Sequence, residues 1–163
     1  MKTIAVILCL LVLMSGCTQE VFETVDDPID LQVMAVPATL LIDLPESAAA
    51  PVFEGASGKL YFCDDYEIMI ETLNAGNLDA TLQTLTGFSK EEMQLLETKR
   101  CGAACYEGAW SAAGEAGDQV GRVMVLDDGV YHYCISLMTD ANDISACAVE
   151  WQNIFDSVGL AEG

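Results

Sequence analysis

The side chains of this 163-residue chain with chemistry to offer are seven cysteines, one histidine, twenty-six carboxylates and a few aromatic rings. His132 lies between Tyr131 and Tyr133 in a run of alternating character. A histidine base needs a nucleophile beside it and a third group to orient it. No spacing around His132 supplies either, so it reads as a surface or cross-strand residue facing away from the two tyrosines. Carboxylates pair at Asp64-Asp65, Glu91-Glu92 and Asp127-Asp128. Such pairs at loop tips suit a hard cation such as Ca²⁺, which takes about six to eight oxygens. None belongs to a dense Asp-x-Asp-x-Asp-Gly loop, and solvated turns account for them better. Asp127-Asp128-Gly129 above all is a turn, because Asp and Gly accept positive φ. No pair stands out as glycosidase carboxylates. Trp110, Tyr131, Tyr133 and Trp151 are suited either to floor a carbohydrate or peptide groove or to fill a core, and their place opposite a helix stripe favours the core. Neither a glycine-rich phosphate loop nor a nucleophile elbow is present. No catalytic residue, metal ligand or cofactor is assigned.

Cys17 closes a different kind of pattern. Lys2 gives a positive start, Ile4 to Met14 is an unbroken apolar run, and Ser15, Gly16 and Cys17 follow. The run is too short for a bilayer core of ~30 Å, which takes about 20 helical residues. It has the length of the apolar region of a secretory signal. Leu13-Met14-Ser15-Gly16-Cys17 resembles the lipobox of bacterial lipoproteins, with Met14 where Leu is commoner. The resemblance implies a diacylglyceryl group on the Cys17 thiol and cleavage between Gly16 and Cys17. An anchor with more than one acyl chain holds stably where a single chain would be marginal. The rival reading is an ordinary secretory signal with an incidental cysteine.

Charge narrows the partners. The chain carries 26 Asp+Glu against 6 Lys+Arg, a formal −20. Removal of residues 1–16 takes Lys2 and no acid, leaving 26 acidic and 5 basic residues, a net −21. Nucleic acid is excluded, because phosphate binding needs a basic footprint. Electrostatic docking on anionic lipid is excluded likewise. The expected attachment is the lipid anchor itself, with the domain outside the cytoplasm and an envelope protein or ligand as partner. A two-lobed solute receptor needs more chain than this.

Beyond Cys9 in the leader and Cys17, five cysteines remain: Cys63, Cys101, Cys105, Cys134 and Cys147. An odd number leaves at least one free thiol or an intermolecular bond. Cys134 and Cys147 fall on adjacent predicted elements, which makes them the possible disulfide. Cys101-x-x-x-Cys105 lacks the two-residue spacing of a thioredoxin-like pair and a second ligand pair for zinc. Structural or free thiols are the main expectation, since cysteine is also a good small core residue.

The elements that must position these groups follow from period and punctuation. Residues 17–57 are expected to be a lipid-anchored acidic tether and an irregular segment, with room for one edge strand between Leu31 and Leu44 and a loop from Ser47 to Gly58. Residues 58–161 form the domain. Strands are predicted at 60–63 and 66–73, where Tyr66, Ile68 and Ile70 share one face and Glu67 and Glu71 the other. A helix over 78–86 starts at the N-cap Asn77 and ends at Gly87. Ser89 and Glu92 fit a capping box. Residues 93–98 read as helix or strand. Strands follow at 104–112, 119–126 and 130–138, the last two joined by a hairpin at Asp127-Asp128-Gly129. A final helix carries the stripe Ile144, Ala148, Trp151, Ile154, Phe155 and Val158, with Asp140 or Asn142 as cap and Gly159 as terminator.

Hairpin connections imply a mostly antiparallel sheet. Two one-sided helices need an apolar surface, which the sheet offers, so the fold class is α+β. With Glu107-Gly108-Ala109-Trp110, the hairpin Leu126 to Tyr133 and the helix ending Trp151 to Val158, residues 58–160 resemble PsbP-like and DcrB-like domains. They are most similar to lipoproteins of Gram-positive anaerobes built on this architecture. The resemblance implies a curved antiparallel sheet packed against two helices, in a small non-enzymatic binding or accessory domain. It brings no catalytic residues. A cation-binding envelope protein and a hydrolase are the alternatives.

Overall fold

Strand formation is driven by two-residue alternation, and the strands so formed lie side by side as the hairpins dictate. The structure, a computed structural model, describes residues 35–115 and 117–161. Residues 1–16, Cys17 and the acidic tether up to residue 34 lie outside the described residues. β2 (Phe53–Glu54), β3 (Gly58–Phe62), β4 (Glu67–Asn74), β5 (Gln94–Arg100), β6 (Ala103–Ala112), β7 (Gln119–Asp127) and β8 (Tyr131–Asp140) make one sheet in the order β2-β3-β4-β8-β7-β6-β5. Every neighbouring pair is antiparallel. A second, two-stranded sheet pairs β1 (Thr39–Leu41) with β9 (Gly159–Ala161). Helices α1 (Leu78–Thr86) and α2 (Ile144–Ser157) complete an α+β fold.

The central strand β8 shows why both helices are needed. His132 to Leu137 are buried without interruption, a pattern that requires cover on both faces of the sheet. Tyr133, Ile135 and Leu137 pack with Trp151, Ile154 and Phe155 of α2. Cys134 packs on the other face with Val123 and Val125 of β7 and with Leu82 and Leu85 of α1. The sequence reading offered the helices one surface; the sheet supplies two, with one helix on each.

Local chemistry fixes the ends of α1. The Asn77 side chain accepts from the Asp79 N–H at 2.9 Å, and Gly87 closes the helix in the left-handed conformation at φ 81°. Ser89 and Glu92 form the expected capping box around a single 3₁₀ turn. The ambiguous stretch after it is strand β5, paired along its whole length with β6. On α2 the buried stripe runs through Cys147, whereas Ala148 is exposed. Its N-cap position is Asp143, with no side-chain cap bond, and the helix stops at Ser157, ahead of Gly159. Gly159 instead begins β9.

The domain boundary expected at residue 58 lies inside the fold. Ala38, Leu40, Ile42 and Leu44 pack against the α2-side core, and Ala48 is buried in it. Tyrosine hydroxyls on β8 hold this strap down. The Tyr133 hydroxyl accepts from the Ala38 N–H at 2.8 Å, and the Tyr131 hydroxyl donates to the Ala35 carbonyl.

Candidate functional site

The single histidine stands in a constellation that its sequence context did not reveal. His132, the second residue of β8, lies opposite Asp127, its cross-strand partner on β7. Its Nδ1 lies 2.9 Å from the Thr81 hydroxyl on α1, and its Nε2 lies 3.6 Å from Asp127 Oδ2. Hydroxyl, imidazole and carboxylate in series are the elements of a nucleophilic triad. Access decides what they do here. His132 is 0% exposed and Thr81 is buried, beneath α1. None of the main cavities among the described residues has either residue in its wall. At 3.6 Å the Nε2–Asp127 approach is an ion-pair distance without a formed hydrogen bond. The cluster ties α1 to the β7–β8 hairpin, and as expected His132 faces away from Tyr131 and Tyr133.

The paired carboxylates separate by function in the fold. Asp128 is a turn residue: its Oδ1 accepts from the Val130 and Tyr131 N–H groups, at 2.8 and 2.7 Å, and its Oδ2 accepts from the Tyr133 hydroxyl at 2.9 Å. Burial works to raise its pKa, but the N–H donors and the hydroxyl prevail and hold the carboxyl below its ordinary value. Asp127 accepts from the Gly129 N–H at 2.8 Å. The positive φ of the turn falls on Gly129. Glu92 is held by both the hydroxyl and the N–H of Ser89, which lower its pKa. Asp64 and Asp65 border an open cavity of about 320 Å³ with Glu67 and Asp140. Even so, among the described residues no three His, Cys, Asp or Glu side chains converge to hold a metal ion.

The thiols are settled by the two-faced sheet. Cys134 faces α1, whereas Cys147 belongs to α2 on the opposite side, so the sheet itself stands between them. The possible Cys134–Cys147 pairing is therefore not made, and all five described cysteines are free. Burial pushes the Cys134 thiol up to about 12 and raises those of Cys105 and Cys147. These three are protonated core residues, since it is the thiolate that reacts. Cys101 is exposed, on the β5–β6 turn.

The aromatic residues divide likewise. Tyr133 and Trp151 are core, with Trp151 edge-on to Tyr66 at 5.9 Å. Trp110 stacks on Phe88 at 5.6 Å on the α1 side. They do not form one continuous floor. Both arginines of the chain converge on Glu107, which sequence reading did not single out. Arg100 lies 3.8 Å and Arg122 3.5 Å from its carboxylate. Arg100 also donates to the Phe155 carbonyl, and Arg122 lies over the Phe155 ring at 4.6 Å.

No family model matches the sequence, and no curated protein matches it. Among solved structures the chain is similar to a protein of Bacteroides thetaiotaomicron, with a TM-score of 0.52 and 12% identity over 76% of this chain and 45% of the other. The chain thus spans less than half the length of that protein. It is similar to LpqN, involved in cell envelope biogenesis of Mycobacterium tuberculosis, with a TM-score of 0.50 and 12% identity over 78% and 87% of the two chains. It is also similar to the Ran-binding protein Mog1p of Saccharomyces cerevisiae, at 0.50 and 11% over 74% and 89%. At such identities the likeness establishes the α+β fold alone. No helix among the described residues is long and apolar enough to cross a membrane.

Proposed function

We propose that this chain is a lipid-anchored extracytoplasmic protein whose α+β domain binds or supports another component of the bacterial envelope, without catalysis. The observation that carries the non-catalytic half is the sealed His132. The one arrangement of hydroxyl, imidazole and carboxylate is buried beneath α1, where a substrate has no path to it. The anchor rests on the apolar leader and the lipobox-like run ending at Cys17. The fold shared with LpqN, a protein involved in cell envelope biogenesis, supports placing the domain at the envelope by analogy. The resemblance to lipoproteins of Gram-positive anaerobes belongs to this same reading. The −20 charge keeps such a domain soluble and repelled from the anionic surface to which it would be tied.

Mass spectrometry of the protein purified from its native membranes tests the anchor. The N-terminal peptide is expected to start at Cys17 and carry a diacylglyceryl thioether, and Cys17→Ser is expected to leave the protein unlipidated. Unmodified Cys17 in protein from the cytosolic fraction would overturn the placement. Turnover of any substrate in a broad hydrolase panel, lost in both His132→Gln and Thr81→Val, would overturn the non-catalytic reading.

A further inference from the structure

The large sheet ends differently at its two edges. One edge is β2, two residues long. The other is β5, seven residues long, which pairs with β6 along its whole length and with no other strand among the described residues. Half the backbone N–H and C=O groups of such a strand point outward without partners, a template on which another strand can pair. Protein sheets blunt their edges by keeping them short, as β2 is, or by placing charges along them. On β5, Gln94 and the run from Leu96 to Lys99 are exposed, and Leu96 keeps 60% of its surface in solvent.

The charges on β5 are not a uniform guard. Two of the six basic residues of this acidic chain, Lys99 and Arg100, are on this strand. Glu97 and Lys99 lie two residues apart and so share one face of it. Neither takes part in an ion pair among the described residues. Residues directly opposite each other in an antiparallel pair are either both hydrogen-bonded across it or both not. Two copies of one strand therefore pair about a two-fold axis only in registers centred on a residue. Centring on Glu97 or on Lys99 sets like charges against each other, which destabilises the pair. Centring on Leu96 places Glu97 opposite Leu95 and leaves both charges uncompensated. Centring on Thr98 places Glu97 opposite Lys99 of the second copy and Lys99 opposite its Glu97. Thr98 then meets Thr98, a favourable cross-strand pair, and Leu96 meets the hydrocarbon stem of Arg100.

We propose that β5 joins two copies of this chain, edge to edge and antiparallel about a two-fold axis at Thr98, so that one sheet runs through both domains. Backbone hydrogen bonds supply the attraction, and the two Glu97–Lys99 pairs set the register. The net negative charge of each copy opposes association. Charges more than about 8 Å apart are largely screened at physiological salt, however, and those that face each other across the new junction are opposite in sign. The inference goes beyond the envelope-binding reading and does not rest on it or on the anchor, because none of the residues involved is near Cys17 in sequence.

Sedimentation equilibrium of the chain from residue 17 onward, carrying Cys17→Ser and keeping the whole described fold, tests this at physiological salt. Reductant is present throughout, because Cys101 is exposed and would otherwise form intermolecular disulfides. The chain is expected to dimerise with a Kd below about 1 mM, the weak end of association. Glu97→Lys and Lys99→Glu are each expected to weaken the dimer at least about tenfold, since each turns two attractive pairs into two repulsive ones. Glu97→Lys also lowers the net negative charge, so if bulk charge governed association that variant would self-associate more tightly. Both positions are exposed, so neither substitution disturbs the core. An equimolar mixture of the two variants is expected to recover the dimer, because every facing pair is then opposite in sign. A chain that stays monomeric at about 1 mM, a dimer indifferent to either substitution, or a mixture that fails to associate would each overturn the proposal. Such a failure leaves the Cys17 thioether untouched, so the two readings fail separately.

Discussion

Asp128 shows how one carboxylate organises a hairpin and reaches beyond it. It accepts from two N–H groups of the turn and from the Tyr133 hydroxyl, which in turn accepts from Ala38 at the far end of the chain. Its folded pKa lies below the ordinary 3.8 because these donors outweigh the cost of burial. The sign follows from that. A group whose pKa is depressed on folding adds stability above its unfolded pKa and loses it as pH falls through the folded value. Asp128→Ala is therefore expected to destabilise at neutral pH by about 1 kcal/mol, at the low end for charged hydrogen bonds because Asp128 is exposed and screened. The difference from the unsubstituted protein is expected to shrink steadily as pH drops below 3.8. Urea denaturation of both proteins across that range measures it. A gap that stays constant into acid would mean that the carboxylate charge is not what the turn uses. His132 illustrates the opposite outcome, a polar residue whose partners are fixed but whose position gives no access to solvent.

At the scale of elements, α2 is the piece whose placement depends on a few long-range polar contacts. Arg100 donates to the Phe155 carbonyl near the helix C-terminus, where a cation is favourable, and Arg122 covers the Phe155 ring and donates to Gln152 at 3.0 Å. Glu107 holds both guanidiniums and is itself mostly buried. Glu107→Ala would leave two half-buried arginines facing each other without a counter-charge, and is expected to cost about 2 kcal/mol. Guanidinium denaturation checks the loss. Glu107→Gln is expected to retain part of the stability, because the amide oxygen still accepts, whereas equal losses would assign the effect to packing. The helices and strands β3, β4, β6, β7 and β8 were legible because their signals are local. The Asn77 and Gly87 ends of α1 and the alternation of Tyr66, Ile68 and Ile70 each lie within a few residues. What was not legible is set by partners far apart in sequence. β1 and β9 are three residues each, and pair across the length of the domain. The Thr81–His132 contact spans 51 residues, and the Arg100–Phe155 contact 55. Nor does alternation say which face receives which helix. It therefore left Cys134 and Cys147 free to be drawn together until the sheet was found between them.

For the molecule as a whole, the question is where the folding unit begins, and opposing terms decide it. Removing residues up to 57 takes away Leu40, Ile42 and Leu44, which are partly buried against the core, together with the buried Ala48. It also removes the β1–β9 pairing and the backbone partners of the Tyr131 and Tyr133 hydroxyls. Three half-buried aliphatic side chains are worth about 1 kcal/mol each, and the lost hydrogen bonds about another 1–2 kcal/mol. The same deletion removes Asp43, Glu46 and Glu54, relieving repulsion in a chain of formal charge −20. Lys59 would lose its 2.7 Å partner Glu54 in the process, but that pair is exposed and contributes little. Repulsion among surface charges is largely screened beyond about 8 Å at physiological salt, so burial wins. The net loss of about 4 kcal/mol is a large share of the roughly 5–15 kcal/mol that holds a domain together. A chain starting at residue 58 is therefore expected to be far less stable than one starting at residue 35 or at residue 17. Urea midpoints for the three chains at two salt concentrations separate the terms. If the short chain matched the longer ones at both, the strap would be an appendage. If it recovered only at low salt, charge relief would outweigh the apolar contacts.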